Sequence, residues 1–259
     1  MEIPLYQLDA FASRVFAGNP AAVCPLEAWL PDETLQALAT ENNRSATAFF
    51  VPRDGGYDLR WFTPTAEVDL CGHATLASAY VVFRFLEPGT TTVRFHSRGG
   101  VLAVTREGEQ LALDFPARPP VPCAPPAGLA QALGASVQQV LRARDHMAVF
   151  ETEAEVRALR PDMEALRRVD CFAVIATAPG ASADFVSRFF APGIGIPEDA
   201  VTGSAHCTLV PYWARRLGRS RLAARQLSAR GGELLCEDLG ERVRIAGRAV
   251  LYLQGTVTL

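Results

Sequence analysis

The sequence predicts an α+β protein of two pseudo-symmetric domains, each a barrel-like mixed sheet curled around a central helix. Three observations carry that prediction. The chain is 259 residues long and 49% hydrophobic, enough apolar material for two cores. It repeats itself at an offset of about 130 residues, a period that marks a duplicated domain and not a solenoid. Each half also holds one helix-length segment that is apolar on nearly every face, and such a helix belongs in an interior.

The repeat is legible in three ordered matches. Arg60-Trp61-Phe62-Thr63-Pro64 answers Arg188-Phe189-Phe190-Ala191-Pro192, an offset of 128. Gly72-His73-Ala74 answers Gly203-Ser204-Ala205 at 131, and Arg98-Gly99-Gly100-Val101-Leu102 answers Arg230-Gly231-Gly232-Glu233-Leu234 at 132. Each half then reads alike. An apolar strand, Thr47 to Val51 or Phe172 to Ala176, turns into a second strand that ends at the Arg-aromatic-Phe-x-Pro match, because proline cannot continue the ladder. A loop follows, and a helix opens at Gly72 or Gly203, running from His73 to Phe85 and from Ser204 to Leu217. Strands around Arg-Gly-Gly finish each half, with alternation as in Leu111-Ala112-Leu113-Asp114-Phe115. The Pro-rich stretch from Pro116 to Pro126 breaks both periodicities. The expected domains are therefore residues 1–118 and 127–259 with a linker at 119–126, the last strand being free to return to the first domain.

Composition narrows the function classes. Net charge is −3 and no Lys/Arg cluster suggests a phosphate-backbone footprint, so nucleic acid is not an expected partner. No apolar run approaches the ~18 residues of a membrane span, and the first residues lack the basic and apolar regions of a signal peptide. Six scattered cysteines with no Cys-x-x-Cys read as reduced thiols of a cytoplasmic protein. No metal-ligand spacing, P-loop, dinucleotide fingerprint or Gly-x-Ser-x-Gly elbow is present. The expectation is a protein without metal or cofactor.

The chemistry is expected at the starts of the two buried helices, brought to a cleft between the halves. A helix N-terminus presents unpaired N–H groups that suit a carboxylate, and Gly72 and Gly203 let a ligand approach the backbone. Around these starts lie Glu67, Asp69, Cys71 and His73 in one half, and Glu198, Asp199, Thr202, Ser204 and His206 in the other. Taken singly, His73, His206 and Asp199 also read as polar residues at a helix end, and Cys71 and Cys207 as packed thiols. The set as a whole is suited to moving protons.

These motifs resemble the phenazine-biosynthesis PhzF-like family, which shares the diaminopimelate epimerase-like fold. The resemblance runs from Asp9-Ala10-Phe11 and Gly18-Asn19-Pro20-Ala21-Ala22-Val23, through Cys71-Gly72-His73-Ala74-Thr75-Leu76, to Glu198-Asp199-Ala200-Val201-Thr202-Gly203-Ser204-Ala205. It continues into Ser228-Ala229-Arg230-Gly231-Gly232-Glu233-Leu234 and so covers nearly the whole chain. It implies a cofactor-independent isomerase that shifts a proton within a small carboxylate-bearing metabolite, in a homodimeric biosynthetic protein. His73 and Asp199 would be its catalytic groups, with Asn19, Ser45, Gly72, Gly203 and Ser204 holding the ligand.

One position departs from the family. Its catalytic glutamate follows the serine of a stretch reading Asn-Leu-Ser-Glu-Thr-Ala-Phe, and here the stretch is Asn43-Arg44-Ser45-Ala46-Thr47-Ala48-Phe49. Ala46 has no proton to give or take, and a positioned acid/base contributes ~10²–10⁴-fold in rate. Three readings stay open: an engineered inactivation, a natural change in which Asp69, Cys71, His73 or Asp199 is the base, or a non-catalytic small-molecule binder. The fold's two-cysteine racemases carry their bases at the starts of the same helices. Cys71 matches the first and Thr202 stands at the second, which leaves a single-cysteine epimerase or dehydratase as a further alternative and disfavours a two-thiol racemase.

Overall fold

A computed structural model describes residues 1–259 and divides them into two compact units, Met1–Asp114 with Ala246–Leu259, and Phe115–Ile245. In the first unit the strands are β1 (Glu2–Ala10), β2 (Asn19–Pro25), β3 (Ala46–Arg53), β4 (Gly56–Phe62), β5 (Glu67–Val68), β6 (Thr92–Ser97), β7 (Gly100–Glu107) and β8 (Gln110–Pro116). Its helices are α1 (Asp32–Asn42) and α2 (Gly72–Val81). The second unit holds β9 (Val121–Pro122), α3 (Leu129–Leu133), β10 (Gln139–Arg142), β11 (His146–Val149), α4 (Glu153–Ala158), α5 (Met163–Arg167), β12 (Val174–Pro179) and β13 (Phe185–Ala191). It continues through β14 (Ile196–Asp199), α6 (Gly203–Leu217), β15 (Arg221–Gln226), β16 (Gly232–Asp238) and β17 (Arg242–Gly247). The last strand, β18 (Ala249–Thr258), pairs antiparallel with β1 from Glu2–Thr258 to Ala10–Ala249, with a bulge at Gln7/Leu8.

Strand pairing repeats between the units. β2–β3 is parallel, β3–β4 and β4–β5 are antiparallel, β4–β6 is parallel and β6–β7 antiparallel. β11–β12 is parallel, β12–β13 and β13–β14 are antiparallel, β13–β15 is parallel and β15–β16 antiparallel. The same order of directions in both units is the three-dimensional form of the sequence repeat.

Burial explains why β3 and β12 read as apolar runs: both faces are covered. On one face of β3, Phe49 and Val51 pack with Leu35, Leu38 and Ala39 of α1. Its other face, carrying Ala46, Ala48 and Phe50, is left for α2. In the second unit, Val174, Ala176, Val186 and Phe190 pack with Leu129, Val156 and Leu166 of the short helices and with Leu159 just after α4. Phe185, next to Val186 and so on the opposite face of β13, stacks on Trp213 of α6 at 5.8 Å.

The central helices are buried as their composition predicts. Every side chain from His73 to Ala79 of α2 is buried, and α6 is buried from Ala205 to Pro211. Full burial of a side chain such as Leu76 or Val81 contributes ~1.5–3 kcal/mol. Three boundaries differ from expectation. α2 closes at Val81 and runs on as a wider π turn over Val82–Leu86. The strand expected at Phe172 begins at Val174, because the Phe172 ring lies half exposed under the Arg144 guanidinium at 4.9 Å. Within the Pro-rich stretch, Val121–Pro122 pair with Leu141–Arg142.

Candidate functional site

In the first unit the site is built on three elements. Gly18, at φ +65°, is required by its turn, since a Cβ there would meet the Ala10 carbonyl oxygen. That turn delivers Asn19, fully buried, as the first residue of β2. Asp9 accepts from the N–H of Phe16 at 2.8 Å and holds the same loop. Ser45, just ahead of β3, lies 2.8 Å from Asn19 Oδ1, 2.7 Å from the Pro20 carbonyl and 3.2 Å from His73 Nε2. Its one proton goes to Asn19 or Pro20, so its oxygen is an acceptor for an Nε2–H of His73. That tautomer leaves Nδ1 as the acceptor, and the Cys71 sulfur lies 3.5 Å from it. Cys71, His73, Ser45 and Asn19 thus form one hydrogen-bonded chain at the opening of α2.

Ala46 follows Ser45 on the face of β3 left to α2, and its methyl is buried. Asp69 is exposed and stands outside this chain. Glu67 is committed elsewhere: Arg60 grips it with Nε and Nη2 at 2.7 and 2.9 Å, and the hydrogen bond to Arg60 holds its carboxyl below the usual carboxylate range.

The second unit repeats the scaffold with different chemistry. Arg188 grips Glu198 at 2.7 and 2.9 Å, as Arg60 grips Glu67. Arg60 lies over Phe62 at 5.1 Å and Arg188 over Phe190 at 4.9 Å. The repeated Arg-aromatic-Phe motif is therefore a brace that ties strand to loop, and Glu67 and Glu198 are its counter-charges. At the opening of α2, Thr75 Oγ1 donates to the carbonyl of Cys71 at 2.7 Å. At the opening of α6, His206 Nδ1 donates to the carbonyl of Thr202 at 2.8 Å. His206 is fully buried, and burial pushes its pKa down to about 4. It is a neutral, donating residue that fills the role of Thr75, which removes it from the acid/base candidates.

Asp199 ends β14 and accepts from Thr202 Oγ1 at 2.6 Å. Gln226 donates to the Asp199 carbonyl and to Thr202 Oγ1, at 2.9 and 3.1 Å. Ser204, in the first turn of α6, accepts from Arg144 Nη2 at 3.4 Å, and Arg144 is held by Asp145 through two bonds of 2.9 and 3.0 Å. A guanidinium beside an open helix start adds a positive charge where the backbone already favours an anion. Arg144 and Gln226 escape a reading of the sequence, because neither lies in a repeated motif and each reaches the opening of α6 across 24 residues or more.

Burial settles most thiols. It pushes Cys24 up to about 12 and Cys207 up to about 11, so both stay protonated and unreactive. No three His, Cys, Asp or Glu side chains converge as a metal-binding group, and no helix is long and apolar enough to cross a membrane.

The family model described as "Phenazine biosynthesis-like protein" matches residues 8–255. The chain belongs to the PhzC/PhzF family. An uncharacterized isomerase of Pseudomonas aeruginosa is 55% identical to this PhzF-like chain over 259 residues, covering all of both. The crystal structure of a PhzF-family phenazine biosynthesis protein from Enterococcus faecalis superimposes with a TM-score of 0.98 at 47% identity, covering all of both chains. A hydroxyproline epimerase from Agrobacterium vitis shares the fold at 10% identity, with a TM-score of 0.63 over all of this chain and 93% of that one. The PhzF-like fold is thus an epimerase-type fold, and the Pseudomonas relative is named an isomerase.

Proposed function

We propose that this chain is a cofactor-independent isomerase that moves a proton within a small carboxylate-bearing metabolite, with the Cys71–His73 pair in place of the missing glutamate. The observation that carries the reading is the chain from Cys71 through His73 and Ser45 to Asn19. The Cys71 thiol gives its proton to His73 Nδ1. The resulting thiolate takes a proton from one substrate carbon, and His73 returns its proton at another, so substrate and product differ only in where a hydrogen sits. Asp199 is the second acid/base group. Gly72, Gly203 and Ser204 hold the ligand through backbone N–H groups, and Arg144 adds its charge beside Ser204. The six cysteines, none of them in a disulfide, fit a reducing cytoplasm. Phe16 and Tyr252 meet edge-on at 5.6 Å and are 69% and 49% exposed, which supports a homodimer.

A second reading, a binder that kept the site and lost the chemistry, is favoured by Ala46 alone. Incubating the protein in D₂O with a dihydro-hydroxyanthranilate and related cyclic hydroxy-amino acids separates the two. Deuterium at a substrate carbon supports the isomerase. Binding without any exchange supports the binder.

A further inference from the structure

The segment that follows α6 contains Gln226 and the Ser228-Ala229-Arg230-Gly231-Gly232 motif, and the proposed chemistry leaves both without a task. The Gln226 side chain is buried and directs three hydrogen bonds to the loop between β14 and α6. Its Oε1 accepts from the Thr202 N–H at 2.8 Å, while Nε2 donates to the Asp199 carbonyl at 2.9 Å and to Thr202 Oγ1 at 3.1 Å. The orientation of the amide is fixed by its partners, because a backbone N–H must meet an oxygen and a carbonyl must meet an N–H. Two residues on, Ser228 Oγ donates to the Ala200 carbonyl at 2.7 Å and accepts from Gly231 N–H at 3.0 Å. The loop is therefore pinned at Asp199, Ala200 and Thr202 from one strand end.

The direction of the hydrogen bonds matters more than their number. Thr202 Oγ1 has one proton. Gln226 Nε2 is already donating to that oxygen, so the proton points the other way, to Asp199 Oδ2 at 2.6 Å. Thr202 stands at the N-cap of α6, where a threonine hydroxyl ordinarily accepts from the helix. Here it makes no capping bond. Its hydroxyl is diverted to the carboxylate.

We infer that Gln226 is a positioning residue for Asp199: by donating to Thr202 it turns that hydroxyl into a one-way donor that fixes the rotation of the Asp199 carboxylate. The same wiring uses the Thr202 hydroxyl twice, as acceptor from Gln226 and as donor to Asp199. This inference rests on the reading of Asp199 as a site group, and the experiment separates the two.

The test compares the full-length protein with Gln226→Met, Gln226→Glu, Thr202→Val and Thr202→Ser. Methionine keeps the length of glutamine and removes both donor and acceptor. Glutamate keeps the acceptor for Thr202 N–H and competes with Asp199 for the hydroxyl proton. Thr202→Ser keeps the hydroxyl. The first readout is the Asp199 Hα–Hβ coupling pattern, which reports whether its χ1 is fixed or averaged, with amide exchange along β15 confirming the fold. One rotamer is expected in the wild type and Thr202→Ser, and averaging in the other three. The second readout is deuterium incorporation into a dihydro-hydroxyanthranilate. There kcat is expected to fall about 10²-fold in Gln226→Met with KM changed little, as for misplacement of a reacting group, and Thr202→Ser is expected to restore what Thr202→Val loses. If Gln226→Met does not fold, the Thr202 pair carries the same comparison. A single fixed Asp199 rotamer in folded Gln226→Met or Thr202→Val overturns the positioning role. Averaging in those three variants, with a wild type that exchanges no deuterium, leaves the positioning role in place and overturns the isomerase reading.

Discussion

Replacing Ala46 by glutamate tests where the proton is carried. Ala46 opens β3 on the face left to α2, and its parallel partner Ala21 is as buried as it is. A longer side chain there overpacks the site, at a cost of about 1–3 kcal/mol. Ala46→Gln has the same bulk with no proton to transfer, so the difference between the Glu and Gln variants isolates the acid/base contribution. If Cys71 is the base, Cys71→Ala lowers exchange by ~10²–10⁴-fold, which is about 3–5 kcal/mol in the barrier. In that background Ala46→Glu, placed next to Ser45 and the His73 chain, recovers at least tenfold over Ala46→Gln, because it supplies a base where none is left. In the wild-type background Ala46→Glu gives no gain over Ala46→Gln, since the two bases then compete for His73. The assay is the initial rate of solvent-deuterium incorporation, with thermal melts run on every variant. A Cys71→Ala protein that exchanges at the wild-type rate refutes the assignment of the base.

Other residues give independent checks. His206 is held neutral, so the folded state resists its protonation. The contribution is full above pH 6.5, is lost as pH falls from 6.5 to about 4, and is on the order of 3 kcal/mol in all; His206→Thr, which copies Thr75, is expected to flatten that part of a urea-stability profile. Arg188→Met leaves Glu198 uncompensated and strips the carbonyls of Val156 and Leu159 of their donor, so a loss of about 2–4 kcal/mol is expected by urea denaturation, and the conservative Arg188→Lys should not restore it. Gly18→Ala forces a Cβ against the Ala10 carbonyl at a left-handed backbone position; it is expected to cost more than the ~1 kcal/mol of an ordinary glycine substitution and to displace Asn19 from Ser45, seen as a shifted Asn19 side-chain amide resonance.

What the sequence makes legible here is periodicity, and what it hides is direction. The repeat of Arg-aromatic-Phe at 60 and 188 announces two equivalent strands, but the partners Glu67 and Glu198 lie at unequal distances along the chain, so the brace emerges only in three dimensions. The apolar helices are visible as buried, while the π turn after Val81 is not, because no local residue type signals it. Ala46 is conspicuous in sequence as a missing carboxylate. The Cys71–His73 contact is also local, two residues apart, and still depends on Ser45 to select the tautomer. Gln226 and Arg144 lie outside every motif. Their roles come from side chains that return to the helix starts from distant strands and loops, and single-sequence patterns carry no signal for that.

The two units share their braces and differ where a ligand would be met. Arg60–Glu67 and Arg188–Glu198 are one solution used twice, and so are the Thr75 and His206 bonds onto the first helical carbonyl. The divergence is confined to matched positions at the helix starts, with Cys71 and His73 in the first unit and Thr202 and Ser204 in the second. The residue matched to the thiol is thus a hydroxyl whose proton already belongs to Asp199. Inverting a centre by equivalent bases needs two groups that exchange roles, and this pair does not exchange. Under the proposed chemistry, removal and return of the proton fall to unlike groups, which suits an isomer with its hydrogen relocated better than a mirror image. Converting Thr202 to cysteine tests this directly. It supplies the second thiol but replaces a strong donor to Asp199 with a weak S–H, so it is expected to lower hydrogen relocation without producing racemisation, as read by chiral analysis of the recovered substrate; racemised substrate would show that the asymmetry of the two helix starts does not set the outcome.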